Sequence, residues 1–371
     1  MTITTHPKRI LAIDVGAGTQ DILLWDAGQP MENNVKLVLP SWTTILARQV
    51  KQATQERRPL FLTGNLMGGG PVVSAMKRHL QAGHPVYITP RAALTVRDNL
   101  DQVCEQGYAL VKKPPDLPDL VTLRTRDVDL EALAGALAPF GVTVPKAVAV
   151  AVQDHGECLE GSNRKFRFQL WREFVERGGH MLDLAYREPP PCYTRMQAVQ
   201  RDAPGAVLMD TGPAALWGML EDECAAGHQD EGFMAVNVGN QHTLGVLLRG
   251  ERILGLFEHH TVLMTPGKLA RLVDRLRAGT LTDEEVFDDN GHGAFIGPDY
   301  APGAGAPGAG APEAGGPGAG APEAGFDFVA VTGPQRHLAA GLGYHLAAPY
   351  GDMMLTGCFG LVTATQRLND Q

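Results

Sequence analysis

The sequence predicts an α/β protein built from two similar halves, each with the element order β-β-β-α-β-α-β. Three observations favour this fold class. A strand, a glycine turn and a second strand occur near residue 10 and again near residue 234. In both places a third strand and a helix follow. Each half then contains an apolar strand that ends in Thr-Gly, within residues 59–65 and 328–334.

The first half begins with residues 9–26, RILAIDVGAGTQDILLWD, in which two apolar strands flank a turn containing Gly16 and Gly18. Residues 35–39 supply a third strand, and residues 43–57 have the apolar spacing of a helix. Three strands joined by tight turns form an antiparallel meander, whereas later strands that are separated by helices pair in parallel.

The second half repeats this order. Residues 234–250 read MAVNVGNQHTLGVLLRG, and a third strand follows at 252–257. Thr265 can cap the next helix, and Pro266 suits its first position. Four apolar residues then recur at helical spacing and form a stripe: Leu269, Leu272, Val273 and Leu276.

The repeat suggests domain boundaries. We expect the first domain at residues 1–110, the second at 232–371, and a non-repeating segment at 111–231. Apolar strands at 147–152 and 206–209 lie within that segment, and they either complete the first sheet or belong to a third domain.

Residues 301–325 contain only Ala, Gly, Pro and Glu. Such a segment cannot pack a hydrophobic core. It is therefore expected to be a disordered linker or loop insertion, and its removal should leave the fold intact.

Composition argues against several functional classes. The net charge of −9 argues against binding to nucleic acid or to an anionic membrane. No apolar run approaches the roughly 20 residues of a membrane-spanning helix, and none near the start resembles a signal-peptide core, which predicts a cytoplasmic protein. The five cysteines form no CxxC pair and no three-cysteine cluster of the kind that holds an iron–sulfur cube, so no radical enzyme is expected.

The first turn has the composition of a phosphate site. Asp14 ends a buried strand, and Gly16 and Gly18 allow backbone N–H groups to approach an anion. Thr19 adds a hydroxyl donor. Asp14 cannot itself bind phosphate, but Mg²⁺ accepts carboxylates together with phosphate oxygens. The alternative is a plain hairpin turn. A dinucleotide fingerprint and a P-loop are excluded, because a strand follows the glycines and no Lys-Ser or Lys-Thr is present.

Two further strand ends carry candidate catalytic groups. Asp154 and His155 follow the strand at 147–152, where catalytic groups of open α/β sheets often lie. Asp154 or Glu157 could act as a general base, or the segment could be a polar turn with a buried His–Asp hydrogen bond. Asp210 ends the strand at 206–209 and could supply a further acid or cap the following helix.

Other histidines and basic residues also allow two interpretations. His242, in the second glycine turn, could donate to a phosphate or lie exposed in a hairpin. His259 and His260 follow a strand, but no third ligand stands at metal-site spacing, which favours a strand-end pair over zinc. Residues 164–174 mix basic and aromatic residues, and their helical spacing favours an amphipathic helix over an RNA-binding segment.

Three segments resemble the ATPase superfamily of actin, heat-shock chaperones and sugar kinases. Asp14–Asp21 resembles its first phosphate motif, Val236–Thr243 resembles the second, and residues 328–337 lie at the position of its adenosine motif. The resemblance implies two ribonuclease-H-like domains that flank an interdomain cleft, with ATP and Mg²⁺ as cofactors. The whole chain also resembles an uncharacterised family labelled “putative pyruvate formate-lyase activating enzyme”.

The superfamily resemblance implies roles for individual residues. Asp14 would hold the metal ion, and Asp154, Asp210 and His155 are the catalytic candidates. The three motifs would bind the nucleotide through Gly16, Gly18, Thr19, Asn237, Gly239, Asn240, His242, Thr243 and Gly333.

Two of these residues depart from the superfamily pattern. Asn237 stands where the second phosphate motif usually has Asp. Only Gly333 precedes Pro334, where the adenosine motif usually has paired glycines.

Three functions fit these observations. The first is a Mg²⁺–ATP-dependent phosphotransferase or ATPase that acts in the interdomain cleft on an unspecified small-molecule or protein acceptor. The second is a nucleotide-switched activator or reactivator of a partner enzyme. The third is a binding scaffold that has lost ATP chemistry.

Overall fold

The computed structural model describes residues 7–301 and 326–371. The segment predicted to be disordered therefore lies, apart from residue 301, outside the described residues. Among the helices of these two ranges, none combines the length and the apolarity that crossing a bilayer requires.

The described chain divides into two compact units. The amino-terminal unit contains Pro7–Asn163 and Tyr186–Thr211. The carboxy-terminal unit contains Arg164–Ala185 together with residues 212–301 and 326–371. The domain boundaries expected from the repeat stay a prediction.

Strands occur in both units. In chain order they are β1 (Arg9–Val15), β2 (Thr19–Asp26), β3 (Val35–Pro40), β4 (Leu60–Gly64), β5 (Val86–Ile88), β6 (Ala109–Leu110), β7 (Val121–Thr125), β8 (Val148–Val152), β9 (Ala185–Tyr186), β10 (Val207–Met209), β11 (Phe233–Val238), β12 (His242–Arg249), β13 (Arg252–His260), β14 (Gly293–Ile296), β15 (Val329–Thr332) and β16 (His345–Leu346).

The α-helices are likewise numbered along the chain. They are α1 (Trp42–Gln55), α2 (Gly70–Gln81), α3 (Pro90–Ala93), α4 (Leu100–Glu105), α5 (Leu130–Leu137), α6 (Asn163–Glu176), α7 (Thr194–Asp202), α8 (Thr211–Met219), α9 (Glu223–Gly227), α10 (Pro266–Arg277), α11 (Asp283–Asp288) and α12 (Thr356–Asp370).

The main sheet of the amino-terminal unit has the strand order β3-β2-β1-β8-β10-β9. Strands β1, β2 and β3 are antiparallel neighbours, whereas β8 pairs in parallel with both β1 and β10. The strands predicted at 147–152 and 206–209 therefore complete the first sheet. Because β1, β8 and β10 run in the same direction, their carboxyl ends meet at one edge.

A separate four-stranded sheet, β6-β5-β4-β7, lies in the same unit. Strand β4, which ends in the first Thr-Gly, pairs in parallel with β5 and β7 and not with β1. The predicted equivalence between this strand and residues 328–333 is therefore wrong. The counterpart of β15 is β8, because each is the parallel neighbour of the first strand of its sheet.

The carboxy-terminal unit has the strand order β14-β13-β12-β11-β15-β16. Strands β11, β12 and β13 are antiparallel, and β15 pairs in parallel with β11. The fold class is thus confirmed, since both main sheets combine an antiparallel meander with parallel strands. The stripe of α10 faces the core of this unit, as its spacing predicts. One difference is that a short 3₁₀ turn at Arg336–Ala339, rather than an α-helix, lies between β15 and β16.

Helices α8 and α12 approach each other closely in the carboxy-terminal unit. A Cβ atom added to Gly218 of α8 would lie 1.7 Å from the carbonyl oxygen of Thr356. One added to Gly360 of α12 would lie 1.9 Å from the carbonyl oxygen of Ala214. Glycine is required at both positions because the backbones themselves are in contact.

We expect Gly218→Ala to destabilise the protein by at least about 1–3 kcal/mol, because the helices must separate to admit the methyl group. Gly227→Ala is the matched control, since nothing lies within 4 Å of its added Cβ. That change should be neutral or stabilising by up to about 1 kcal/mol. Urea unfolding followed by circular dichroism measures both. Equal stability of the two variants would contradict the described packing.

Candidate functional site

Three carboxylates meet at the carboxyl edge of the amino-terminal sheet. Asp14 lies near the end of β1 and pairs in register with Ala151 of β8. Ala151 also pairs with Met209, the last residue of β10, and Asp210 follows it. Asp154 follows the end of β8. The parallel pairing thus brings together the predicted metal ligand and two of the predicted catalytic residues.

A fourth carboxylate, on Asp21, was not assigned a role from the sequence. Asp21 is directly opposite Asp14 in the antiparallel β1–β2 pair and is buried. Burial, followed by the charges of Asp21 and Asp210, raises the pKa of Asp14 well above its ordinary value. Like charges opposite each other in a sheet are destabilising. A bound cation would relieve this repulsion.

The turn between β1 and β2 is held in one shape. The Gly16 N–H donates to the Thr19 carbonyl at 2.8 Å. From the start of α1, the hydroxyl groups of Ser41 and Thr44 both donate to the carbonyl oxygen of Ala17 in this turn, at 3.1 Å. The start of α1 therefore fixes the turn that carries Gly16, Gly18 and Thr19.

Asp154 is closely involved in backbone hydrogen bonding. One of its carboxylate oxygens accepts the Gly156 N–H at 2.9 Å. The other accepts the N–H groups of Arg195 and Met196, in the first turn of α7, both at 2.9 Å. Its own N–H donates to Asp210 at 3.0 Å. Burial, opposed in part by these N–H groups, raises the pKa of Asp154 to about 6.

Arg195 supports the loop that carries Asp154. Its guanidinium donates to both carboxylate oxygens of Asp127, at 2.8 and 2.9 Å. It also donates to the Gln153 carbonyl at 2.8 Å. His155, the third predicted catalytic residue, is partly buried in this loop. Sequence reasoning missed Arg195 and Asp127, because no local pattern connects two residues so far apart in the chain.

The second glycine turn repeats the geometry of the first. The Gly239 N–H donates to the His242 carbonyl at 2.9 Å, as Gly16 donates to Thr19. The carbonyl oxygen of the Asn240 side chain accepts from Gln335 at 2.9 Å. Thr243 is fully buried, and its hydroxyl group hydrogen-bonds with that of Thr261.

Gly333 lies against the second turn. Its φ of +100° favours glycine. An added Cβ would lie 2.5 Å from the Val238 carbonyl oxygen and 2.7 Å from a side-chain oxygen of Asn237. The structure therefore brings the ends of β11 and β15 together. The roles in nucleotide binding proposed for Asn237, Gly239, Asn240, Thr243 and Gly333 stay predictions.

His242 belongs to a buried polar network in the carboxy-terminal unit. Its Nδ1 lies 3.1 Å from Glu258. Glu258 accepts from Arg167 Nε at 2.7 and 2.9 Å and from the Trp171 indole at 3.2 Å. Burial alone would raise the pKa of Glu258, but Arg167 and the neighbouring histidines hold it well below its usual range. Residues 164–174 form part of α6, as their spacing predicts, and Arg167 is among its buried residues.

Three imidazole rings surround this carboxylate. The ring centroids of His242, His260 and His292 lie 5.0, 4.7 and 4.8 Å apart in pairs. Burial and the neighbouring histidines lower the pKa of His260 to about 4. Burial is also the largest cause that lowers the pKa of His292 to about 3.

His259 and His260 are the last two residues of β13, as predicted, but their rings have different surroundings. His259 Nε2 lies 3.2 Å from Asp289, whereas His260 contacts His242 and His292. Adjacent residues on a strand point to opposite faces, so the two rings have different surroundings. The sequence did not show the third histidine because His292 is distant in the chain.

The chain matches one known family. A family model with the description “Putative pyruvate format-lyase activating enzyme (DUF1786)” matches residues 67–303, which is more than half of the chain. None of the curated proteins matches.

Solved structures show only a distant likeness. An exopolyphosphatase from Cytophaga hutchinsonii is 10% identical with a TM-score of 0.27, and the match covers 75% of this chain and 60% of that one. A Ppx/GppA family member from Aquifex aeolicus is 12% identical with a TM-score of 0.27, over 74% and 62%. The ethanolamine utilization protein EutJ from Carboxydothermus hydrogenoformans is 10% identical with a TM-score of 0.28, over 97% and 90%. Likeness at this level carries no inference about this chain.

Asp14→Asn should stabilise the cation-free protein at neutral pH. Because the folded-state pKa of Asp14 is raised, the folded state binds more protons than the unfolded state between the two pKa values. Stability is therefore greatest below the ordinary pKa and falls as the pH rises through the raised one, by about 1.4 kcal/mol for each pKa unit. The amide side chain of this variant does not ionise, so the variant does not lose this stability as the pH rises.

Urea unfolding in EDTA between pH 4 and 8 measures the effect. Asp26→Asn is the control, because Asp26 lies at the opposite end of the same strand pair, 3.5 Å from Arg9. It should not stabilise the protein. A destabilised Asp14→Asn variant at pH 8 would show that Asp14 is not under repulsion.

Proposed function

The chain belongs to the family described as “Putative pyruvate format-lyase activating enzyme (DUF1786)”, and we propose that this member is a Mg²⁺-dependent ATPase or phosphotransferase. The family description names an activating enzyme, whereas the residues at the carboxyl edge of the amino-terminal sheet support phosphoryl chemistry.

The observation that carries the proposal is the set of four carboxylates at that edge. Asp14, Asp21 and Asp210 are carboxyl oxygen donors, and burial, followed by the charges of the other two, raises the pKa of Asp14. Carboxylate oxygens are the ligands that Mg²⁺ prefers, and Mg²⁺ commonly joins one or two carboxylates to phosphate oxygens. Asp14 and Asp210 would hold the ion. When bound, it would neutralise phosphate charge and polarise the transferred phosphoryl group.

The adjacent turn supplies the other requirement of a phosphate site. The Gly16 N–H closes the turn, so the N–H groups of the residues after it and the Thr19 hydroxyl would bind phosphate oxygens. Phosphoryl transfer depends on positioning and on charge neutralisation more than on covalent chemistry. Water or an acceptor hydroxyl group would attack the terminal phosphorus, and the bond to the bridging oxygen would break.

We assign Asp154 a positioning role rather than that of the general base. Its two carboxylate oxygens already accept three backbone N–H groups, and its own N–H holds Asp210. Together with Arg195 it would fix the Asp210 carboxylate beside Asp14.

A second candidate uses the same site differently. The family description names activation of another enzyme, which fits a nucleotide-driven activator with slow ATP turnover. Phosphate release measured with and without pyruvate formate-lyase distinguishes the two. Stimulation by that protein would favour the activator, and turnover that depends on a small-molecule acceptor would favour the phosphotransferase.

Mg²⁺ and ATP together should raise the melting temperature of the full chain, whereas ATP with EDTA should not. A ligand at 100 times its Kd stabilises the folded state by about 2.7 kcal/mol. Asp14→Asn should lose this gain although the variant itself is more stable. Differential scanning fluorimetry, paired with a phosphate-release assay, measures both effects.

Asp26→Asn again serves as the control and should respond to Mg²⁺–ATP as the unmodified protein does. Full stabilisation of Asp14→Asn by Mg²⁺–ATP would refute the assignment of Asp14. Stabilisation of the unmodified protein by ATP in EDTA would refute the requirement for a cation.

A further inference from the structure

We propose that His242, His260 and His292 bind a divalent transition metal such as Zn²⁺ in the carboxy-terminal unit. The proposed function does not require this site, because the carboxylates proposed to hold Mg²⁺ all belong to the amino-terminal unit.

The spacing of the rings is that of a three-imidazole metal centre. With Zn–N distances of about 2.0–2.1 Å, tetrahedral ligation places the ring centres about 5 Å apart. The three observed centroid distances are 5.0, 4.7 and 4.8 Å. A ring nitrogen of His242 and one of His292 lie within 4.8 Å of each other. His260 belongs with them through the position of its ring, whose centroid lies 5.0 and 4.8 Å from theirs.

The fold holds two of the three side chains on neighbouring strands, and the third directly precedes a strand. His242 and His260 are directly opposite in the β12–β13 pair. His292 precedes β14, and its N–H donates to the Glu258 carbonyl at 2.8 Å. Ligands carried by strands are positioned more firmly than ligands on loops.

Glu258 would act as an outer partner, that is, a group that holds a ligand side chain without binding the metal itself. A metal-binding histidine usually donates its second ring N–H to a carboxylate, which fixes the tautomer and ring orientation. His242 Nδ1 lies 3.1 Å from Glu258, so donation there leaves Nε2 as the ligand atom. Glu258 is itself held by Arg167 and Trp171.

The donor set selects the class of metal. Three neutral imidazoles suit Zn²⁺ and its first-row neighbours, whereas Mg²⁺ and Ca²⁺ prefer oxygen donors. Glu258 is neutralised by the buried Arg167, so nitrogen atoms supply the ligands and the carboxylate supports them.

Metal binding by the full chain tests this proposal. The protein is stripped with EDTA, dialysed into excess Mg²⁺ to fill oxygen-donor sites, and titrated with Zn²⁺ against a chromophoric chelator. Co²⁺ replaces Zn²⁺ in a parallel titration, because its visible absorption reports nitrogen ligation. We expect one tight site with a tetrahedral Co²⁺ spectrum.

His260→Asn and His292→Asn should each weaken binding by more than about 100-fold, since a lost ligand exceeds the roughly 10–100-fold effect of an outer partner. Glu258→Gln should weaken metal binding by the smaller, roughly 10–100-fold factor of an outer partner. His337→Asn, which changes an exposed histidine of the same unit, is the control and should bind as the unmodified protein does.

Three outcomes would overturn the site. They are the absence of a stoichiometric Co²⁺ spectrum in the unmodified protein, unchanged affinity in His260→Asn or His292→Asn, and equal loss in His337→Asn. The first needs no variant, so a misfolded mutant cannot obscure it. Failure of this metal site leaves the Asp14 assignment intact, because its readout is Mg²⁺–ATP stabilisation.

Discussion

The parallel pairing of β1, β8 and β10 is the constraint on which the candidate site depends. It makes three strands end at the same edge, and the chain places a carboxylate at each end. The turn after β1 then sets Asp21 opposite Asp14. Such an arrangement is costly in an apolar sheet, because burial and like charge both oppose ionisation. A divalent cation with oxygen ligands would turn this repulsion into attraction, which is why we propose that phosphate chemistry takes place at this edge.

The two units share a strand–turn–strand backbone but carry different side chains around the turn. Both first turns close with the same N–H to carbonyl bond, from Gly16 to Thr19 and from Gly239 to His242. The side chains around them differ. Asn237 occupies the position of Asp14, and its partner across the strand pair is Leu244 rather than an acid. The carboxy-terminal unit instead gathers imidazoles around the buried Arg167–Glu258 pair. The two units therefore share the order of the first strands and the turn but differ in the side chains around the turn.

Local patterns predicted much of the fold. The strand–turn–strand repeats and the stripe of α10 follow from apolar periodicity within single segments. The sheet to which a strand belongs was harder to predict. The Thr-Gly ending of β4 is visible within one segment, whereas its pairing with β5 and β7 depends on segments elsewhere in the chain. The same contrast between local patterns and distant partners holds for the residues of the candidate site. Asp14, Asp154 and Asp210 were predicted from their positions at strand ends. Asp21 could also have been predicted, because the tight turn at Gly16 fixes the register that places it opposite Asp14. Arg195, Glu258 and His292 gain their meaning only from partners distant in the chain.

We propose above all that the carboxylates of Asp14 and Asp210 hold a divalent cation that carries phosphate. Crystals soaked with Mn²⁺ and a non-hydrolysable ATP analogue, with diffraction recorded near the manganese absorption edge, test it most directly. We predict an anomalous peak within ligating distance of Asp14 or Asp210, directly or through water, with phosphate density against Gly16–Thr19. A crystal with the analogue bound and no anomalous peak beside these carboxylates would contradict the account.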